Sequence, residues 1–109
     1  MLFRCLDAVE RLRDQGLDVG LLHKATLNVV DESALARVAK TRFALVVESQ
    51  NEKTGLGARY GTWLLRRGMH PRYDHLGSTR LGSGGLWEQI AHQGLSVEAI
   101  VARVEKLAK

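Results

Sequence analysis

Residues 43–68, FALVVESQNEKTGLGARYGTWLLRRG, restrict the choice of fold more than any other part of the chain. An unbroken apolar run from Phe43 to Val47 ends on a lone carboxylate, Glu48. Strands buried in parallel sheets lose the apolar–polar alternation of half-exposed ones, so the run predicts a strand over residues 43–48 covered on both faces. A polar loop, SQNEKT, separates this strand from a glycine-rich turn (Gly55, Leu56, Gly57) and an amphipathic helix that turns Tyr60, Trp63 and Leu64 inward and stops at Gly68. The carboxyl end of such a strand is where ligands and partner loops gather in open α/β sheets.

The flanking segments alternate helix and strand. Leu2, Cys5, Leu6, Val9 and Leu12 recur at helical spacing between charged residues and predict a helix ended by Gly16. Residues 17–22, LDVGLL, are expected to form a short strand, although Asp18 and Gly20 are poor strand formers. Residues 26–30 are a connector, and Asp31 caps a helix with Leu35, Val38 and Ala39 on its buried stripe. After Pro71, residues 72–76 (RYDHL) predict another strand and residues 77–85 a flexible loop. Leu86, Trp87, Ile90 and Ala91 define a short helix stopped by Gly94, and Ser96 caps a last helix with Val97, Ile100, Val101, Val104 and Leu107 inward. This alternation argues for a three-layer α/β/α domain with a mainly parallel sheet.

At 109 residues the chain is the size of one domain, which buries roughly two thirds of its unfolded surface. No apolar run approaches the ~20 residues of a membrane span, and the N-terminus does not resemble a signal peptide, so a cytoplasmic protein is expected. Cys5 is the single cysteine, so no internal disulfide can form, and its spacing reads as a small buried hydrophobe. The net charge of +4 is spread over several helices without an aromatic-rich basic stretch, which argues against nucleic acid as the partner.

Gly55, Gly57 and Gly61 superficially resemble a dinucleotide-binding turn, but the intervening SQNEKT and the lack of a following acidic residue favour a structural turn with close backbone packing. His23, His70, His75 and His92 show no metal-ligand spacing and read as solvated loop residues. The LGSGG run of residues 81–85 has no buried strand before it and is no nucleophile elbow. Glu48 could serve as a base or bind a cation, yet with no other catalytic candidate nearby it reads as a carboxylate that anchors the loop by accepting backbone N–H bonds. The residues alone describe an α/β domain without an autonomous active site.

The order of these features resembles the C-terminal domain of the transketolase family of thiamine-diphosphate enzymes, whose relatives include 2-oxoacid dehydrogenase β subunits and deoxyxylulose-phosphate synthase. The family's helix before a "gi-v-v-i" strand matches residues 8–22, its "tlkPlD" connector residues 26–31, and its "vvvEe…GGLGs" signature residues 45–58. Its glycine- and serine-containing tail matches residues 76–100, with Gly77, Ser83, Gly84, Glu88, Gly94 and Ile100 in register. Val29, Ser49, Gln50 and Thr54 depart from the pattern, chiefly in the partner-facing loop.

The resemblance implies that residues 1–109 form one domain of a larger enzyme, as a fragment or a separate subunit. Thiamine diphosphate and magnesium are implied for the complete enzyme, bound by preceding domains or a partner subunit, so no catalytic, cofactor-binding or metal-ligating residue is carried over to this chain. The implied role is assembly, as a homodimer, in an enzyme that transfers two-carbon ketol units, as in the pentose phosphate pathway. Glu48, Gly55, Leu56, Gly57, Gly77, Ser83 and Gly84 are then a structural or interface signature. The alternatives are the end of a 2-oxoacid dehydrogenase β subunit that docks its acyltransferase, and a stand-alone nucleotide or nucleic-acid binding module. The family also places a strand before the first helix, and two flanking strands left unpaired would forfeit on the order of ten hydrogen bonds of roughly 1 kcal/mol each. The strands at residues 17–22 and 43–48 are therefore expected to close against each other, or another chain to fill the gap.

Overall fold

The strand that begins at Phe43 is the centre of the molecule. In the computed structural model, which describes residues 2–24, 29–51, 53–78 and 95–109, the elements in chain order are α1 (Leu2–Asp14), α2 (Glu32–Ala39), β1 (Phe43–Asn51), α3 (Leu56–Arg66), β2 (Arg72–Ser78) and α4 (Val97–Ala108). The expected helix containing Leu86 and Trp87, the loop residues Ser83 and Gly84, and Gly94 lie outside the described residues.

β1 and β2 pair in parallel, with Phe43 opposite Arg72 and Val47 opposite Leu76. The ladder is then irregular until Asn51 meets Ser78, so β1 carries extra residues around Glu48. Side chains alternate across the pair. Phe43, Leu45 and Val47 meet α1 and α4, whose Ala8, Leu12, Ile100 and Val104 are buried against Leu76, Leu95 and Val19. Val46 and Tyr73 face the opposite way, toward the cluster of Leu35 from α2 with Tyr60 and Leu64 from α3. Helices thus cover both faces of a parallel pair, and the fold is α/β. Both faces being covered is the reason β1 reads as a continuous apolar run.

Asp31 Oδ1 accepts from the Ala34 N–H at 3.1 Å and Ser96 Oγ from the Ala99 N–H at 3.2 Å, so α2 and α4 start at the side-chain caps expected. Arg67 forks onto Glu32 through Nε at 2.9 Å and Nη2 at 2.5 Å, tying the end of α3 to the start of α2. This pair holds the Glu32 carboxyl below the ordinary carboxylate range, the hydrogen bond being the main cause.

Four expectations are corrected. Residues 17–22 form no strand: Asp18 and Gly20 disfavour one, and the segment is held instead by the Arg13 Nε–Val19 O bond of 2.9 Å and by Leu17 and Val19 in the core. Among the described residues β2 alone pairs with β1, so the expected closure of residues 17–22 onto β1 does not occur. β1 runs on to Asn51 and β2 to Ser78, because the ladder resumes beyond the irregularity and takes in residues assigned from their polarity to loops. Leu6 is 43% exposed, since the buried stripe of α1 is Cys5, Ala8, Val9 and Leu12, one position round the helix.

Candidate functional site

The carboxyl end of β1 meets the start of α3. Glu48 is 7% exposed, and its Oε1 accepts from the Leu56 N–H at 2.8 Å while Oε2 accepts from the Gly57 N–H at 2.5 Å. Gly55 occupies the N-cap position and has no side chain to offer, so a glutamate seven residues earlier takes the capping role. The first N–H groups of a helix need acceptors, and the positive end of the helix dipole favours an anion there. Glu48 supplies both.

Gly57 is where α3 comes closest to β2. A Cβ at this position would lie 2.4 Å from His75 Nδ1, 2.5 Å from His75 Cβ and 2.6 Å from His75 Cγ. One turn on, a Cβ at Gly61 would lie 2.9 Å from Tyr73 Cε2. Tyr73 in turn donates its hydroxyl to the Gly57 carbonyl, and its ring stacks on His75 at 6.2 Å between centroids. The two glycines, four apart, share a helix face, and Tyr73 and His75, two apart, share a strand face, so aromatic rings fill the space that side chains on α3 would otherwise take. His75 Nδ1 is buried here without a protein partner, which corrects its reading as a solvated loop residue: β2 carries it under α3. Gly77 follows in β2, buried. Leu56 belongs to the cluster built on Leu35, Tyr60 and Leu64.

Burial pushes the Tyr73 hydroxyl well above the ordinary phenol value, with the Glu48, Tyr60 and Asp74 charges adding to it. The folded protein therefore keeps this proton at a pH where the unfolded chain releases it. That contribution is whole below the ordinary value of 10.0 and is lost progressively as pH rises above it toward the raised folded-state value. Unfolding free energies from urea titrations taken between about pH 9 and pH 11 are expected to fall toward a limiting slope of about 1.4 kcal/mol per pH unit for this group, and Tyr73→Phe to flatten the fall. Burial also raises the Cys5 thiol, which keeps it protonated and unreactive near neutral pH.

The anion position at the start of α3 is filled by a carboxylate of the chain itself, and a phosphate brought there would face that negative charge. Among the described residues no group of three His, Cys, Asp or Glu side chains could hold a metal ion.

The profile of the family described as "Transketolase, C-terminal domain" matches residues 1–100. The chain belongs to the transketolase C-terminal domain family. It is 32% identical over 111 aligned residues to y4mN, a transketolase family protein of Sinorhizobium fredii, and the match covers 97% of this chain and 32% of that protein. The chain thus spans about a third of the length of the curated relative it matches. No solved structure matches it. Membership implies association with other domains or subunits. Thiamine diphosphate is implied for a full transketolase-type enzyme. No helix among them is long and apolar enough to cross a membrane.

Sequence reasoning singled out Glu48, Gly55, Leu56, Gly57 and Gly77, missed Tyr73 and placed His75 among solvated loop histidines. The structure brings Glu48, Leu56 and Gly57 together at one point and sets Tyr73 and His75 beside them. The signal for this pair was present: glycines four apart on a helix, followed by bulky residues two apart on a strand.

Proposed function

We propose that this chain is the assembly domain of a thiamine-diphosphate-dependent, transketolase-like enzyme that transfers two-carbon ketol units, and that it works as part of a homodimer without catalytic groups of its own. The observation that carries the reading is Glu48. The one position resembling an anion-binding turn is closed by the chain's own carboxylate, so the strand–turn–helix unit holds structure together instead of holding a cofactor. Glu48, Gly55, Leu56, Gly57 and Gly77 are its structural signature, and Ser83 and Gly84 belong with them by family pattern.

The sheet supports an assembly role as well. Arg42 O accepts from the Arg72 N–H at 3.2 Å, so by the alternation of a parallel ladder Ala44 and Val46 point their peptide groups at β2 while Phe43, Leu45 and Val47 point theirs at the other edge. Thr41 Oγ1 donates to Phe43 O there at 2.9 Å. The peptide groups of Leu45 and Val47 have no pairing strand among the described residues, and a strand from the remainder of the enzyme would satisfy them.

The test is ketol transfer from a two-carbon donor to an aldehyde, with thiamine diphosphate and magnesium supplied. The chain alone is expected to show none, and its co-expression with a thiamine-binding portion is expected to restore turnover in a complex that sediments as a dimer of the whole. Turnover by the chain alone would overturn the reading, as would an assembled enzyme whose activity and size are the same without it.

A further inference from the structure

The end of the domain at which the strands begin carries a cluster of cations that folding does not neutralise. Packing sets the helix directions. Ala8 and Ile100 meet Leu76, near the far end of β2, whereas Leu12 and Val104 meet Phe43 at the start of β1, so α1 and α4 run against the strands and end where the strands begin. α2 leads into β1 at the same end. Arg37 lies in the last turn of α2 and Lys40 is its C-cap, while Lys106 lies in the last turn of α4 and Lys109 is its C-cap. Arg42 and Arg72 stand side by side at the strand starts and reach the end of α4, Arg42 Nη2 donating to Ala108 O at 3.2 Å and Arg72 Nη1 to Leu107 O at 3.1 Å.

These cations have no carboxylate partner among the described residues. The ion pairs of Arg11 with Asp7 and Glu98, Arg67 with Glu32, and Arg103 with Asp74 occupy other acids. The negative ends of α1, α2 and α4 offset only about half a charge each, and Asp14 and Glu105 one each, against these six cations and Arg13 in the last turn of α1. A clear positive excess therefore remains on exposed side chains. Uncompensated like charges on one face attract a complementary surface and fix its register.

We propose that this end, built from Arg37, Lys40, Arg42, Arg72, Lys106 and Lys109, docks an acidic segment of a partner polypeptide. A polypeptide fits better than nucleic acid because Phe43, the aromatic residue of the strand start, faces the core of α1 and α4 and offers no ring for a base to stack on. Arginine forks also suit the planar geometry of carboxylates. The proposal does not depend on which reaction the complete enzyme carries out.

The experiment uses the full chain and a fluorescently labelled oligoglutamate peptide, followed by anisotropy at low salt, with a labelled DNA duplex of similar charge as competitor. Binding of the peptide is expected to weaken by about tenfold or more in the double variant Lys40→Glu/Lys106→Glu. Both side chains are exposed, so circular dichroism should show the fold kept. The same change of net charge at the opposite end, Lys53→Glu/Arg59→Glu, is expected to weaken binding several-fold less, because Coulomb attraction falls with distance from the docked peptide and exposed charges are further screened. Equal losses in the two double variants would reduce the effect to net charge and overturn the proposal. So would absence of peptide binding at low salt, or tighter binding of the duplex than of the peptide.

Discussion

Gly57→Ala is expected to destabilise the domain by about 2–3 kcal/mol, the sum of a small gain and a larger loss. Alanine favours a helix over glycine by about 1 kcal/mol, so at an open helical position the substitution would stabilise. Here the added Cβ would meet not the tip of a mobile side chain but His75 Cβ at 2.5 Å and the ring atoms beside it. His75 Cβ cannot move without the backbone of β2. Either α3 lifts from the sheet, stretching the Glu48 bonds to its first N–H groups, or β2 shifts within the ladder. A loss of this size in a domain of about 100 residues lowers the melting midpoint by about 10 °C or more. Gly61→Ala, facing Tyr73 Cε2 at 2.9 Å, should cost less because the ring can tilt away. Gly20→Ala, with nothing within 4 Å, should be neutral or slightly stabilising. Thermal melts of the three variants give the order directly, and a Gly57→Ala protein as stable as Gly20→Ala would show that α3 and β2 are not in close contact.

This close approach also marks how far the sequence could be read. The βαβ unit was legible because its signals are local: an apolar run too continuous for a half-exposed strand, a carboxylate at its end, and a helix with a clear buried stripe. The caps Asp31 and Ser96 were legible for the same reason, as each acts on an N–H three residues away. Residues 17–22 misled because apolar content alone suggested a strand, whereas pairing depends on a neighbour that the segment does not state. The ends of β1 and β2 misled for the opposite reason, since polar residues continue a ladder when the partner strand continues with them. Tyr73 went unread and His75 was misread because their meaning lies in α3, twelve or more residues away in the chain, and only the register of β2 under that helix brings them to the glycines.

Glu48→Ala is expected to cost about 2–4 kcal/mol, because it takes the acceptors from two N–H groups at once. The Gly57 N–H bond is buried, so water cannot readily replace the carboxylate, and the Leu56 N–H is only partly sheltered. Glu48→Gln separates charge from shape. The amide keeps one oxygen for one N–H but sets an NH₂ donor against the other, and it gives up the favourable anion at the positive helix end, worth about 0.3–1 kcal/mol. Glutamine should therefore restore only part of the stability lost with alanine. A full rescue would mean that side-chain volume, not hydrogen bonding, is what the position requires. Urea unfolding of both variants measures the cost, and amide exchange at Leu56 and Gly57 locates it: protection there should fall first, ahead of the core helices α1 and α4. Melting unchanged from the parent protein in Glu48→Ala would remove the structural role, and with it the reason for reading this turn as closed to a cofactor.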